Sequence, residues 1–225
     1  MQSRFGNISA LIDPEADACP AMTRAERRDQ QTQRVLEAAK ACFVRSGFQG
    51  ASMQEICAQA DMSPGALYRY FPSKEAIIEA ICAADRREDA RVFQAVLSNP
   101  DVIEGMVAGA MTHIRFVHET NAAPLFAQIC AEAMRNCAVE SMCRANMDQV
   151  QAMFGNYLGK AKARGEIDPV VDLDTVVPAL MAIIHGMALN DLPALGISYE
   201  KLEVLLRAAL EGMLRPAGAS AGGAK

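Results

Sequence analysis

The sequence predicts an all-α protein with a short N-terminal three-helix unit followed by a longer C-terminal helical bundle. Two observations predict this fold class: apolar residues recur at helical spacing along most of the chain, and sustained period-2 alternation is nearly absent. The chain has 225 residues, of which 51% are hydrophobic and 22% are charged. This composition is sufficient for a substantial buried core.

The first predicted helix covers residues 23–46. Its apolar residues recur on one face, and Gly47 ends it. The second helix begins after Ser52, because Ser52 and Glu55 form a capping box in which each side chain satisfies a backbone N–H group of the other.

A tight turn at Asp61 separates the second helix from the third. Aspartate is among the few residues that tolerate a left-handed backbone. Ser63 and Pro64 restart the chain as helix cap and first helical residue, and Pro72 ends this short helix.

Six longer helices are predicted to follow, with breaks at segments rich in Gly, Pro and Asn. The first is capped by Ser73 and runs to about residue 99. The other five span 101–119, 123–136, 139–164, 174–190 and 199–214.

Composition argues against several classes of protein. No run of about 18 uncharged apolar residues occurs, so we expect no membrane span. The first 22 residues lack the apolar segment of a secretory signal, and seven cysteines without a CxxC pair indicate reduced thiols in a cytoplasm. There is no Gly-rich phosphate loop, nucleophile elbow or metal-ligand spacing of the three histidines. We therefore expect neither an enzyme nor a metal site.

The net charge of −5 is unevenly distributed. Residues 21–75 carry eight Lys/Arg against six Asp/Glu, a formal charge of +2, whereas the segments before and after carry −2 and −5. We therefore expect an anionic partner to bind residues 21–75.

Two short helices joined by a tight turn, with a third to pack against, form a helix-turn-helix, whose second helix enters the DNA major groove. With Leu67 facing inward, Gly65 and Arg69 point outward at about 100° per residue. Ala66 and Tyr68 flank them. Gly65 and Ala66 are small enough to let the helix seat deeply, and Arg69 is long enough to reach guanine O6 and N7.

Two neighbouring side chains are candidates for contacts with the DNA backbone. The Tyr68 hydroxyl can hydrogen-bond a phosphate, and Lys74 brings a positive charge to the same strand from the first turn of the next helix. The alternative is a plain three-helix packing unit in which Arg69 and Lys74 are solvated charges, Tyr70 serves the core, and the serines are only helix caps.

Residues 35–81 resemble the N-terminal signature of the tetracycline-repressor (TetR) family of transcriptional regulators. The run Leu-Tyr-Arg-Tyr-Phe-Pro-Ser-Lys at 67–74 is its most characteristic part. The resemblance implies a homodimeric repressor that binds a palindromic double-stranded DNA operator, needs no cofactor, and is released by a small-molecule effector. By position, it implies DNA contacts at Ser52, Ser63, Gly65, Tyr68, Tyr70 and Lys74.

Two positions depart from the family signature. Ala51 replaces a usual hydroxyl residue, which removes one phosphate contact, and Asp61 replaces a usual glycine, which adds a negative charge close to DNA. The predicted domains are a disordered tail over 1–22, a helix-turn-helix domain over 23–75, a ligand-binding and dimerisation domain over 76–214, and a disordered tail over 215–225.

The C-terminal part contains nine of the 13 methionines. Flexible thioethers suit pockets for apolar ligands of varied shape, although a Met-rich core without a ligand is the simpler alternative. If the family plan holds, the predicted lining residues are Phe116, Met153, Tyr157, Met181 and His185. His185 lies in an apolar run and could hydrogen-bond either a ligand or a neighbouring carbonyl.

Two further features leave alternatives open. Cys130 and Cys137 share a face if one helix continues through both, but they are too far apart to bond, so thiol-based redox sensing would need Cys143 or a second chain. The last two helices are apolar on more than one side, so they are either central in the monomer, the simpler alternative, or paired across a two-fold axis, and the family resemblance favours the pairing. Besides thiol-based redox sensing, a second alternative to the ligand-released repressor is a dimeric ligand-binding protein with a non-functional DNA motif.

Overall fold

The computed structural model describes residues 22–217, without the side chains of residues 85–88. Between residues 22 and 217 the chain forms helices and no strand, which confirms the all-α prediction. The helices are α1 Arg24–Gly50, α2 Met53–Gln59, α3 Pro64–Tyr70, α4 Lys74–Leu97, α5 Val102–Glu119, α6 Ala123–Ala133, α7 Cys137–Ala163, α8 Leu173–Leu189 and α9 Tyr199–Leu214, with a 3₁₀ turn at Pro193–Leu195.

Local sequence signals place most of the helix ends. Ser52 and Glu55 form the predicted capping box, and Asp61 has φ +50° at the turn between α2 and α3. Gly47 has φ +69° and interrupts the helical backbone, so only a short turn of α1 continues beyond it.

One predicted helix is shorter than expected. The helix over 123–136 ends at Ala133, because the Asn136 side chain accepts the backbone N–H groups of Ala138 and Val139 and caps α7 instead. Consequently Cys130 and Cys137 lie on different helices, so the condition under which they would share a helix face is not met.

The apolar core consists of two clusters. The N-terminal cluster joins α1, α2, α3 and the start of α4 around Phe43, Ile56 and Leu67. Leu125 and Ile129 of α6 complete it from the C-terminal part of the chain. The second cluster fills the space between the rest of α4 and helices α5, α7, α8 and α9.

A buried carboxylate joins the two parts of the chain. Glu132 of α6 is fully buried and accepts hydrogen bonds from Gln49 (2.8 Å), Arg135 (2.7 Å) and Asn136 (3.3 Å). Burial alone would raise the pKa of Glu132, but these three hydrogen bonds hold it below its ordinary value. The carboxylate is therefore charged, and it fixes the end of α1 against α6.

The predicted C-terminal tail begins with paired residues. Ile167 forms an isolated antiparallel bridge with Pro216, and Arg215 donates to the carbonyls of Asp168 and Pro169. The rest of that tail and residues 1–21 of the predicted N-terminal tail lie outside the described residues. No helix described between residues 22 and 217 has the length and apolar character needed to cross a bilayer.

Helices α4 and α5 approach closely where α5 carries glycine. A Cβ atom at Gly105 would lie 2.6 Å from the Val96 carbonyl oxygen, and one at Gly109 would lie 2.5 Å from a Val96 methyl group. Because the Val96 carbonyl belongs to the backbone of α4, a side chain at Gly105 would force the two helices apart.

We predict that Gly105→Ala lowers the free energy of unfolding by about 1–3 kcal/mol, the usual cost of overpacking a core. Gly155→Ala on α7 is the matched control, because a Cβ atom there meets nothing within 4 Å. It should be neutral or stabilising by about 0.5–1 kcal/mol through the helix propensity of alanine. Urea denaturation followed by circular dichroism measures both, and equal stability of the two variants would contradict the close packing.

Candidate nucleic-acid interface and cavity

The residues predicted to face outward from α3 are exposed or half-buried in the structure. Leu67 is fully buried, whereas Gly65, Tyr68 and Arg69 are exposed and Ala66 is half-buried. None of the described side chains occupies the space above Gly65, since a Cβ atom there would meet nothing within 4 Å. The helix therefore presents a shallow surface with one long cationic side chain, a suitable shape for the major groove.

Arg69 is held next to an aromatic ring. Its guanidinium lies 5.7 Å from the centroid of the half-buried Tyr70 ring, a contact that orients it without neutralising its charge. Ser52 and Ser63 are exposed helix caps whose hydroxyls accept the N–H groups of Glu55 and Ala66. Each hydroxyl keeps a proton that it can donate to a phosphate.

Lys74 is bound within the fold. Its ammonium donates to the carbonyls of Phe48 (2.6 Å) and Ala51 (2.9 Å) and lies 4.5 Å from the centroid of the Phe48 ring. With two of three ammonium protons used, only one is left for a phosphate. Lys74 therefore fixes the start of α4 to the end of α1. The sequence did not predict this structural role.

The structure shows the surroundings of the two residues that depart from the family signature, Ala51 and Asp61. Ala51 is buried, so position 51 faces the interior rather than solvent. The Asp61 carboxylate lies 3.8 Å from the Arg34 guanidinium, which also donates to the Ala60 and Asp61 carbonyls. Arg34 thus partly offsets the added negative charge and stabilises the turn before α3.

A cavity of about 130 Å³ lies in the C-terminal part, between α4, α5, α6, α7 and α8. Three of the five predicted lining residues, Phe116, Met181 and His185, belong to its wall. Met153 and Tyr157 do not. The α7 wall ends at Phe154, so Tyr157 lies almost one helical turn further on, where its ring packs edge-on against Phe93 at 6.2 Å. Met153 is half-buried beside the core.

Sequence reasoning missed three aromatic residues of the cavity wall, namely His113, Phe126 and Phe154. His113 stacks on His185 with ring centroids 5.7 Å apart, and Phe126 packs edge-on against His185 at 5.9 Å. His113 lies three residues before Phe116 and therefore on the same face of α5, which was the available signal. The contact of His113 with α8 depends on tertiary packing and has no local signature.

Both histidines of the cavity are neutral near pH 7. Burial, aided by the neighbouring His185, lowers the pKa of His113 to about 4, and burial also lowers the pKa of His185. A neutral imidazole has one N–H donor and one acceptor nitrogen. The remaining wall is mostly apolar, with Asp89 and Asn146 as its other polar residues among the described side chains.

Helix α6 contacts both the cavity and the N-terminal unit. Phe126 lines the cavity, while Leu125 and Ile129 pack into the N-terminal core. One turn further, Glu132 binds Gln49 at the end of α1. Helix α6 therefore joins the cavity wall to the helix-turn-helix unit.

Three thiols lie on neighbouring helices away from the cavity wall. A hydrogen bond from Cys82 of α4 lowers the pKa of the Cys143 thiol of α7 to about 7. Burial and the nearby Cys143 raise the pKa of Cys130 of α6. Cys42 and Cys57 are buried in the N-terminal core, in agreement with a packing role.

Helices α8 and α9 each expose large apolar side chains. Ile183 of α8 and Val204 and Leu205 of α9 are exposed, with the latter two 61% and 52% accessible. Four small residues of these helices are also exposed, namely Ala182, Gly186, Ala208 and Gly212, and the charged Glu200 and Lys201 border Val204 and Leu205. Small residues beside large apolar ones allow another helix to approach closely.

Comparisons with known proteins agree with this arrangement. The family model described as bacterial regulatory proteins, tetR family, matches residues 35–81. The HTH-type transcriptional regulator UidR of Escherichia coli K12 is 31% identical over 184 residues, which cover 80% of this chain and 91% of UidR. The HTH-type transcriptional repressor KstR of Mycobacterium tuberculosis is 28% identical over 147 residues, 63% of each chain. The structure of Salmonella enterica GusR superposes with a TM-score of 0.74 at 32% identity, covering 83% of this chain and 96% of GusR.

We predict that acid destabilises the protein partly through His113. Its pKa is about 4 in the folded state against an ordinary value of 6.5, so the unfolded chain binds the extra proton. The stability contributed by neutral His113 is complete above about pH 6.5 and is lost as the pH falls toward 4. Between pH 7.5 and pH 5, the free energy of unfolding of His113→Asn should therefore fall by about 2 kcal/mol less than that of the wild type. Urea denaturation at the two pH values measures this difference.

The control for this prediction is Met181→Leu, which alters the same cavity without removing an ionisable group. It should keep the pH dependence of the wild type. A His113→Asn variant with an unchanged slope of stability against pH would show that His113 titrates normally in the folded chain.

Proposed function

The chain belongs to the TetR family of bacterial transcriptional regulators, and we propose that it acts in the cytoplasm as a repressor that binds a palindromic operator as a homodimer. A small, largely apolar ligand entering the cavity would release it from DNA. The observation that carries the proposal is the exposed face of α3, where Gly65, Tyr68 and Arg69 are presented together. The relative KstR is named a repressor, which supports that direction of control.

The cavity wall supports a ligand with an apolar body and one neutral polar group. Phenylalanine, methionine and aliphatic side chains form most of the wall. His113 and His185 carry no charge near pH 7, so they suit a hydroxyl or carbonyl group better than an anion. The ligand would be held by apolar burial and oriented by the stacked imidazoles.

The contacts of α6 support a coupling between ligand binding in the cavity and DNA binding by α3. A ligand beside His185 meets Phe126, and movement of α6 is transmitted to α1 through Glu132 and Gln49. Two recognition helices must lie about 34–36 Å apart to read successive major grooves. A ligand that favours a different spacing therefore weakens operator binding by shifting the population of conformers.

The apolar surface of α8 and α9 supports the homodimer. The same surface on two chains is self-complementary across a two-fold axis and yields a four-helix interface. Val204 and Leu205 on α9 and Ile183 on α8 would form its centre.

The two alternatives receive less support. The Cys82–Cys143 contact is the feature that favours thiol-based sensing, but neither thiol lines the cavity that connects to α6. A non-functional DNA motif is disfavoured by the exposed, well-capped α3 with its unobstructed surface.

We predict that Arg69→Ala relaxes operator specificity. A DNase footprint on the DNA directly upstream of the gene should show a protected, roughly palindromic stretch for the wild type. Because Arg69 is assigned to a guanine edge, Arg69→Ala should lose about 1–3 kcal/mol of discrimination between this site and a scrambled duplex.

Arg144→Ala on α7 is the control for Arg69, since it removes a surface arginine that pairs with Glu140 in the bundle. It should leave the discrimination intact. Undiminished discrimination by Arg69→Ala would reject the role of Arg69. Absence of protection at low salt, together with no binding to random duplex, would reject the DNA function.

We predict that Val204→Glu converts the homodimer to a monomer, because two carboxylates would be buried at the two-fold axis. Analytical ultracentrifugation measures the mass, and circular dichroism checks that the helices persist. Leu97→Glu is the control, since Leu97 is 52% exposed at the end of α4. A Val204→Glu variant that stays dimeric would place the interface elsewhere.

A further inference from the structure

A groove beside the recognition helix is rich in arginine. It runs between the start of α1 and the end of α3. Its wall includes Arg24, Arg27 and Arg28 of α1 and Arg69 and Tyr70 of α3. Arg69 is also the long cation on the exposed face of α3, so the groove continues the surface assigned to the major groove.

The arginines of α1 are arranged on one side of the helix. At about 100° per residue, Arg24, Arg27 and Arg28 fall within a sector of about 100°. The acidic residues of the same turns, Glu26 and Asp29, fall on the opposite side. Glu26 is also engaged in the helix cap, where its carboxylate accepts the Thr23 N–H at 2.7 Å.

No ion pair involves these α1 arginines among the described side chains. Several described arginines elsewhere are paired, for example Arg144 with Glu140 and Arg164 with Glu166. Unpaired like charges gathered in one groove repel each other, and a polyanion bound there would relieve that repulsion. Guanidinium groups are suited to phosphate because they donate two parallel hydrogen bonds.

We propose that Arg24, Arg27 and Arg28 form a second DNA-binding element that binds backbone phosphates flanking the base pairs read by α3. This inference rests on the proposed function and extends the DNA interface from the helix-turn-helix to the first two turns of α1. Phosphate contacts position a protein on DNA without reading sequence. The α1 arginines therefore contribute affinity and salt dependence, whereas Arg69 contributes specificity.

The test is the salt dependence of binding to a random-sequence DNA duplex and to the footprinted operator. Each phosphate neutralised contributes about 0.9 to the slope of log K against log salt concentration. The triple variant Arg24→Gln, Arg27→Gln, Arg28→Gln should lose about 2–3 from the slope on both duplexes. Its ratio of operator to random affinity should stay within about twofold of the wild type.

The matched control removes three cations from the end of α7 through Lys160→Gln, Lys162→Gln and Arg164→Gln. It should keep the wild-type slope, which separates a local contact from an effect of net charge. Arg28→Gln alone should lower the slope by about 1. This single variant keeps the test decisive if the triple variant does not fold.

Three results would overturn the inference. A triple variant with the wild-type slope would show that α1 does not contact DNA, while the proposed function survives. A reduced slope with a large loss of the operator-to-random ratio would mean that these arginines read bases. Failure of the wild type to bind either duplex at low salt would reject the proposed function and this inference together.

Discussion

The structure depends on one buried carboxylate. Among the described side chains, Glu132 is the charged residue that is buried completely, and it is held by Gln49, Arg135 and Asn136. A buried charge is tolerated only with its hydrogen-bond partners in place, and loss of a partner costs about 3–5 kcal/mol. The end of α1 must therefore stay against α6. This requirement ties the helix-turn-helix unit to the bundle at a fixed place.

That constraint gives α6 its part in the proposed mechanism. The helix is 11 residues long, so Phe126 in the cavity wall and Glu132 at α1 lie about 9 Å apart along it. Lys74 provides a second contact between helices, since its hydrogen bonds hold the end of α1 against the start of α4. In the proposed mechanism, movement at the cavity would reach α3 through these joined helices.

The sequence predicted the features that depend on neighbouring residues. The Ser52–Glu55 capping box, the break at Gly47 and the left-handed Asp61 all involve partners within a few positions. The outward face of α3 followed from the helical period once Leu67 was placed inside.

The features that the sequence did not predict join distant residues. The Gln49–Glu132 bond spans 83 positions, and the stack of His113 on His185 joins α5 to α8. Met153 and Tyr157 lie outside the cavity wall, and Tyr157 packs instead against Phe93 of α4, a contact that no local pattern encodes.

The claim that buried Glu132 ties the end of α1 to α6 is tested most directly by a double-mutant cycle between Gln49 and Glu132. Unfolding free energies of Gln49→Ala, Glu132→Ala and the double variant give the interaction energy of the pair. The account predicts non-additivity of about 1 kcal/mol or more, since the pair is a hydrogen bond to a buried charge. Additive effects within about 0.5 kcal/mol would contradict it, because independent sites add to within that range.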